Sequence, residues 1–361
     1  MKKIIKPLAL FSAAALLACA SGCADTSWSF KTDDTTLSNG NYIYYTYMAY
    51  SEALSKIDEA ESESSEASES SESSENEDVL SKEIDGKSVD EWIKDKATEE
   101  CVAQMTIDKL IKEYDVKVDE EDLQLYEGSA EQWYQYYSTL FNKIGVSKDT
   151  YVTATGTYNG LSNQLFLAIY GEGGSKEVSQ EDREAYFKEN YTNYFYIPYS
   201  LLTTDDDGNS VSIDDTTLDN VKVNFAKYAD MLNTQGKTTD DVVTEYLADF
   251  ETETDPSESN TSVLEDVISD EELLTAISDL KENTATVTTI DDTYYLIYKG
   301  AIADQVSTLE DEMINSSLLH KMKGDEYNEY LDEEEAKLKY ETNDACLSNY
   351  TIQRIIDIVG G

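Results

Sequence analysis

The chain has 361 residues, with 75 acidic and 27 basic side chains and a formal net charge of −48. Nucleic-acid binding needs cationic clusters that displace counterions from phosphates, so this charge argues against a nucleic-acid partner. It argues equally against direct adsorption to anionic lipid head groups. A hydrophobic content of 40% and 27 tyrosines are enough for buried cores, and the length suggests two domains.

Residues 1–22 have the plan of a bacterial secretory signal peptide. Three lysines precede an apolar stretch of about a dozen residues, which ends in small residues. The apolar part is too short to span a bilayer, which takes about 20 residues. A cysteine follows the small residues, as in the lipobox of bacterial lipoproteins, where the cysteine thiol receives a diacylglycerol.

Two cysteines compete for this lipid. Cys23 follows Ser and Gly, which suit the two preceding positions, but has Ala where Leu is usual. Cys19 has a well-placed Leu but a bulky residue at the second position. We favour Cys23 as the lipid-attachment residue, with Cys19 and an ordinary cleaved signal as the alternatives. The favoured interpretation predicts an extracytoplasmic chain, lipid-anchored to the bacterial cell membrane.

Residues 24–190 are predicted to form a helical domain, in which successive helices begin at Ser or Asp caps and end at glycines. Ser88 and Glu91 form a capping-box pair at the start of one of these helices. Apolar residues at helical spacing mark two buried faces. The first face comprises Ile43, Tyr47, Tyr50 and Leu54, and the second comprises Val89, Trp92, Ile93, Ala97, Cys101 and Met105.

A tract of almost pure serine and glutamate, residues 59–78, interrupts this domain. Such a tract has no apolar side chains to bury and repels itself, so we expect a disordered insertion. A role of the tract in binding calcium or cell-wall material is the alternative.

Residues 191–302 are predicted to form a small α/β domain. The sequence predicts a strand over 194–203, three helices, and two final strands joined by a turn at Asp291 and Asp292. The segment 205–215, "DDDGNSVSIDD", lacks the ligand spacing of a calcium-binding loop and is better interpreted as a hairpin turn. Residues 303–361 are predicted to be a C-terminal helical segment that packs back on the first domain.

Few residues are candidates for covalent or metal chemistry. His320 is the only histidine and lies in a polar helical context, which indicates an exposed helix residue. Cys101 and Cys346 are predicted either to pair in a disulfide or to be separately buried thiols. No zinc-binding or thiol-redox motif is present, and the sequence indicates no cofactor and no metal.

The order of these elements resembles the PrsA/SurA group of extracytoplasmic foldases. The marks of the resemblance are "VSQEDREAYFKENY" before the first strand and "ELLTAISDLKENTATVTTIDDTYYLIYKG" at the end of the α/β domain. The resemblance implies a mostly helical α+β fold. It comprises a SurA-like helical chaperone domain, split and completed by the C-terminal helices, and an inserted parvulin-like prolyl isomerase domain.

The resemblance also implies where catalytic residues would lie. Parvulins carry one histidine on the first strand and another on the last, and the matching positions here are Ser200 and Tyr295. The glycine-rich strand and substrate lip of parvulins are also hard to find between Phe250 and Val263, where "ETETDPSESNTS" stands. Both departures put catalysis in doubt and indicate a degenerate domain.

These features predict a membrane-anchored chaperone or foldase whose partners are unfolded or exported polypeptides. The aromatic stretches "YIYYTYMAY" and "QWYQYY" are candidates for contacting apolar client segments, although core packing is the simpler interpretation of any one tyrosine. The alternatives are an active prolyl isomerase with a non-histidine site and, in another class, a surface or solute-binding lipoprotein. The sequence does not indicate an oligomeric state.

Overall fold

The computed structural model describes three ranges of the chain: 27–64, 79–205 and 207–360. These residues divide into two compact units. The helical unit comprises the described residues up to Ala168 and those from Tyr327 onward, and the α/β unit comprises Ile169–Glu326. The predicted fold class is confirmed, because long helices dominate, the sheets are small and antiparallel, and the helical unit is split by an insertion.

The helical unit begins with two short strands and is then built from long helices. In chain order its elements up to residue 170 are β1 (Trp28–Lys31), β2 (Thr36–Ser38), α1 (Asn39–Ser64), β3 (Glu83–Ile84), β4 (Lys87–Ser88), α2 (Val89–Glu113), α3 (Glu120–Ile144), α4 (Lys148–Val152) and α5 (Tyr158–Tyr170).

The predicted helix starts agree with the structure. The Ser88 hydroxyl accepts a hydrogen bond from the Glu91 N–H and begins α2, and Asp119 and Ser147 cap α3 and α4 in the same way. The predicted apolar face of α2 is buried throughout except at Trp92, which is partly exposed. Local patterning therefore determines where these helices begin and which side faces the core.

One helix of this unit is interrupted by a π-helical turn. Residues Thr153–Thr157 form this turn between α4 and α5. Gly156 lies in the turn, where an added Cβ would be 2.9 Å from the backbone of Glu127 on α3. Gly160, one turn further on, is equally close to side chains of α3. The two glycines thus allow α3 to cross at very short range.

The α/β unit combines one four-stranded sheet with helices on both faces. Its further elements are, in chain order, α6 (Gln180–Asn190), β5 (Thr192–Ser200), β6 (Leu202–Thr204), β7 (Ser210–Ser212), α7 (Asp215–Asn233), α8 (Thr239–Asp249), β8 (Glu258–Ser262), α9 (Glu271–Ser278), β9 (Thr284–Ile290) and β10 (Thr293–Lys299). Strands β6 and β7 form the hairpin predicted around Asp205, whose carboxylate accepts hydrogen bonds from the backbone N–H groups of Asp207 and Asn209.

The sheet has the strand order β8-β5-β10-β9, with every pair antiparallel. The strand that was hard to find in the sequence between Phe250 and Val263 is β8, which pairs with β5 from Thr192 to Tyr196. Pairing uses only backbone groups, so a polar sequence can supply an edge strand. Apolar patterning therefore could not reveal it.

The two faces of this sheet have separate cores. Alternate residues of β5 point to opposite faces, so Phe195 and Ile197 contact α7 and α8, whereas Tyr194 and Tyr196 contact α9. On the first face Phe225, Tyr228 and Leu296 are fully buried. The second face is closed by Leu264, Leu273 and Ile277.

The remaining elements complete both units. They are α10 (Glu312–Glu335), β11 (Glu341–Thr342), α11 (Asp344–Asn349) and α12 (Ile352–Gly360). The helix α10 belongs to the α/β unit up to Glu326 and to the helical unit from Tyr327. In the helical unit β11 pairs with β1, and α12 packs against α1 and α3.

Two expected boundaries differ from the structure. The α/β unit extends beyond 191–302, because Phe187 of α6 shares a buried cluster with Ile302 and Leu318. Residues 59–64 of the predicted disordered tract are helical as the last turns of α1, since glutamate is a good helix former and extends a helix already nucleated by a buried face. Residues 65–78 of the tract lie outside the described residues.

Candidate functional site

Ser200 and Tyr295, the residues at the parvulin histidine positions, lie on the same face of the sheet. In the ladder between β5 and β10, Ser200 pairs with Thr293 and Pro198 pairs with Tyr295. Directly opposed residues of antiparallel strands share a face, and so do residues two apart along a strand. The register therefore places Ser200 and Tyr295 diagonally on neighbouring strands, as paired site residues would require.

The hydroxyl of Ser200 is occupied by its own strand end. Its Oγ accepts a hydrogen bond of 3.1 Å from the N–H of Leu202 and donates one of 3.1 Å to the carbonyl of the same residue. Ser200 is exposed. These bonds shape the step from β5 to β6, so the side chain has a structural role as well as a position on the candidate face.

Tyr295 belongs to a small aromatic cluster. Its ring meets that of Tyr196 edge-on, with 5.9 Å between centroids, and Tyr196 stacks on Tyr194 at 6.1 Å. The Tyr196 hydroxyl donates a hydrogen bond of 2.5 Å to the Glu258 carboxylate of β8. This tyrosine–glutamate pair could not be predicted from the sequence, because β8 was not predicted.

The electrostatics of this face keep its phenols protonated. Burial raises the pKa of Tyr196, and its hydrogen bond to Glu258 raises it further. Burial also raises the pKa of Tyr295, with Asp270 as the next contributor. Neutral phenols donate and accept hydrogen bonds but do not act as bases near neutral pH. This face can therefore hold polar groups of a peptide, and it carries no imidazole.

A second candidate site lies on α3 of the helical unit. Trp133, Tyr136 and Tyr137 have exposed fractions of 55%, 74% and 48%. Their spacing of three and four residues places them on one face of the helix. The Trp133 ring is 5.9 Å from that of Tyr136 and 6.5 Å from that of Tyr137, with which it is nearly parallel. We call these three residues the α3 aromatic patch.

The patch is anchored by buried rings beneath it. Tyr137 contacts Phe141, whose ring in turn contacts Tyr134, and both of these inner residues are buried. The Tyr134 hydroxyl, which has one proton to donate, lies 3.2 Å from each of two acceptors, the Val146 carbonyl and Asn142 Oδ1. These contacts hold the exposed rings on a rigid base.

The two predicted aromatic stretches differ in burial. In "YIYYTYMAY", Tyr42, Tyr44 and Tyr45 are buried in the core of the helical unit. In "QWYQYY", Tyr134 is buried and the other three aromatic residues are exposed. Core packing thus accounts for Tyr42, Tyr44 and Tyr45 of the first stretch, and a contact surface suits the second.

The remaining candidate residues from the sequence are the histidine and the cysteines. His320 is exposed, as predicted. Cys101 and Cys346 are separately buried thiols and do not form a disulfide, and burial raises the pKa of Cys101. Cys23, the predicted lipid-attachment residue, and Cys19 lie outside the described residues.

Neither a metal site nor a membrane span is found in the parts of the chain that the structure describes. No group of three or more His, Cys, Asp or Glu side chains in those parts is arranged to hold a metal ion. Among their helices, none is both long and apolar enough to cross a membrane.

No protein-family model and no curated protein matches the sequence. The solved structures to which the chain is similar include PrsA from Bacillus subtilis, with 16% identity over 72% of this chain and 90% of that one and a TM-score of 0.30. The foldase protein PrsA from Streptococcus pneumoniae has 15% identity over 71% and 90%, with a TM-score of 0.34. The peptidylprolyl isomerase PrsA from Bacillus anthracis has 15% identity over 63% and 96%, with a TM-score of 0.24. Similarity at this level does not assign the chain to a family.

Proposed function

We propose that this protein is an extracytoplasmic chaperone that holds unfolded or exported polypeptides. The observation that carries the proposal is the α3 aromatic patch, in which three large rings are about half exposed or more on a rigid helix face. Contiguous exposed apolar surface is uncommon on soluble proteins and marks interaction sites. Tyr and Trp combine a large apolar area with a polar tip, which suits transient contact with varied segments.

The chemistry of the α/β unit supports holding rather than catalysis. Ser200 and Tyr295 share a face, but the Ser200 hydroxyl is engaged with Leu202, and the phenols remain protonated. A polar sheet face of this kind can hydrogen-bond an extended peptide. We therefore propose a degenerate isomerase-like unit that contributes binding, with little acceleration of proline isomerisation.

The experiment is an aggregation assay with a chemically unfolded client and the full chain. The triple variant Trp133→Ala/Tyr136→Ala/Tyr137→Ala is expected to lose most of the wild-type protection, because it removes the exposed rings. Its melting temperature should remain close to that of the wild type, since substitutions at exposed positions change stability little.

The matched control is Val223→Ala on α7, which removes an exposed apolar side chain that is not part of the patch. This control should protect the client as well as the wild type does. Equal protection by the triple variant and the wild type would exclude the patch as the client surface. No protection by the wild type would exclude the holding role altogether.

The proposed location rests on the sequence of residues 1–23. We propose that a lipid on Cys23 anchors the protein to the outer face of the bacterial cell membrane, which would keep the patch near polypeptides leaving the membrane. Mass spectrometry of the mature N-terminus tests this proposal. A lipid on Cys19, or a free N-terminus beyond Cys23, would contradict it.

A further inference from the structure

Two adjoining cavities lie in the helical unit, away from the α3 aromatic patch. The first has a volume of about 500 Å³ and the second of about 750 Å³. Both are within the range of about 300–1,000 Å³ that is usual for ligand pockets. Lys96, Glu100 and Tyr158 line both cavities, so the two form one continuous groove.

The first cavity has a mixed lining, in which aromatic and apolar residues stand beside polar ones such as Glu52. Its lining includes Tyr44, Tyr45, Met48, Ala49, Ala154 and Tyr158. Met48 is 44% exposed, so this end of the groove is open to solvent. Tyr158 is half-buried, and Tyr44 and Tyr45 are buried side chains that line the cavity wall. Rings of this kind can pack against an apolar or aromatic side chain.

The π-helical turn builds one wall of this cavity. Ala154 and Thr155 of the turn line it, together with Tyr158 at the start of α5. The Tyr45 hydroxyl, which has one proton to donate, lies within hydrogen-bond distance of two acceptors, the Ala154 carbonyl at 3.2 Å and Gln104 Oε1 at 3.1 Å. Single π-helical turns are rare and are frequent at functional sites.

The second cavity is acidic. Four carboxylates line it: Glu99, Glu100, Asp332 and Glu335. Lys96 is the only basic residue among the described residues that line either cavity, and it is already paired with Glu100 at 3.3 Å. Glu99, Asp332 and Glu335 have no ion-pair partner within the described ranges. This part of the groove therefore has an uncompensated negative charge.

We propose that the groove binds a polypeptide segment in which an aromatic or apolar side chain lies next to a lysine or arginine. The apolar side chain occupies the first cavity, and the cation faces the carboxylates of the second. Charge complementarity identifies this occupant, because an apolar segment without a cation leaves the carboxylates unpaired, and an acidic segment is repelled. The inference rests on the proposed holding function and specifies a class of client segment.

The test uses three fluorescently labelled peptides and the full chain. The peptides share two phenylalanines and differ only at two neighbouring positions, which are Lys, Gln or Glu. Fluorescence anisotropy at low salt and pH 8, where Glu335 is ionised, should give an affinity for the Lys peptide at least about tenfold higher than for the Glu peptide, with the Gln peptide between them. Added salt should reduce the difference, because exposed charges are screened over about 10 Å at 0.1 M.

Two variants locate the preference within the groove. Glu100→Gln/Glu335→Gln should reduce the preference for the Lys peptide to below about threefold. The matched control is Glu329→Gln, which removes the charge of an exposed glutamate on the same helix as Glu335 but outside the groove. This control should leave the preference unchanged.

The possible results separate this inference from the proposed function. Equal binding of the Lys and Glu peptides to the wild type would overturn the inference, and that comparison needs no variant to fold. An equal loss of preference in Glu329→Gln would overturn it as well, because overall charge would then explain the effect. A Lys preference lost only in the groove variant supports the inference, even if aggregation of a client is not suppressed. If the protein suppresses aggregation but shows no preference for the Lys peptide, the proposed holding function stands, and the groove is not a binding site for cationic segments.

Discussion

Glu335 has an environment unlike that of an ordinary surface glutamate. Partial burial, the largest cause, and the neighbouring charges of Asp332, Glu100 and Glu99 together raise its pKa to about 7, while Lys96 acts in the opposite direction. The same carboxylates line the acidic cavity. Their mutual repulsion and the partial burial of Glu335 lower the stability of the folded protein when all of them are ionised. Glu335 therefore links the charge of the groove to pH.

The effect of pH on stability follows from proton uptake. The ordinary pKa of a glutamate in an unfolded chain is about 4.3. Between that value and about 7 the folded state keeps a proton on Glu335 that the unfolded state has lost. Stability therefore decreases as the pH rises through this window, and the full loss is present above pH 7.

We predict that Glu335→Gln removes this loss. The variant and the wild type should be similarly stable near pH 4.5, and the variant should be more stable by about 1 kcal/mol at pH 8. Each unit of pKa difference corresponds to about 1.4 kcal/mol, so the difference between about 4.3 and about 7 sets an upper limit well above this figure, which is lower because solvent screens a partly exposed group. Urea denaturation at the two pH values measures the difference. Glu329→Gln should show no such pH dependence, and an equal gain for Glu335→Gln at both pH values would contradict the prediction.

At the level of elements, periodicity and caps predicted most of the helices and the final strands. The start of α2 at Ser88 and the turn at Asp291 between β9 and β10 agree with the structure, because both depend on local geometry. The strand β8 and the end of α1 were not predicted, because their sequences are polar and neither depends on an apolar pattern. Contacts with the rest of the fold, rather than local sequence, determine the secondary structure of such segments.

The candidate sites differ in how far the sequence predicts them. Ser200 and Tyr295 were placed on matching strands, and the register puts them on one face. The α3 aromatic patch was visible as "QWYQYY", but the sequence could not show that Tyr134 alone turns inward. The groove was not predicted, because its lining comes from residues as distant as Tyr44 and Glu335.

The crossing of α3 with the π-helical turn gives a prediction at this scale. At Gly156 an added Cβ would lie 2.9 Å from the Glu127 Cα and from the Tyr126 carbonyl oxygen, and 3.0 Å from the Ala130 Cβ. Backbone cannot move aside cheaply, so Gly156→Ala should destabilise the protein by about 2–3 kcal/mol. Urea denaturation measures the change.

The control for this prediction is a second glycine, which lies on α3. Gly128 of α3 has nothing within 4 Å of an added Cβ. Gly128→Ala should therefore stabilise the protein by about 0.5–1 kcal/mol, because alanine loses less backbone entropy in a helix. Similar effects of the two substitutions would mean that α3 and the turn are not in close contact.

For the whole molecule, the question is whether binding is accompanied by catalysis. Rotation about a peptide bond has a barrier of about 18–20 kcal/mol, and uncatalysed prolyl isomerisation takes tens to hundreds of seconds at 25 °C. A site must bind the twisted amide more tightly than the planar one to accelerate this step. Even modest acceleration would be visible in the refolding of a client limited by proline isomerisation.

We predict that the full chain delays aggregation of an unfolded client while accelerating such refolding by less than about twofold. The reason is specific to two side chains. The Ser200 hydroxyl is engaged by both backbone groups of Leu202, and Tyr295 is packed edge-on against Tyr196 with its phenol protonated. The measurement compares the wild type with Ser200→Ala and Tyr295→Phe, which preserve the strand and the ring. Strong acceleration by the wild type that either substitution abolishes would show that these residues form an active isomerase site without histidine. If the small effect of the wild type is unchanged in both variants, the α/β unit contributes binding and the chaperone activity belongs to the exposed surfaces of the chain.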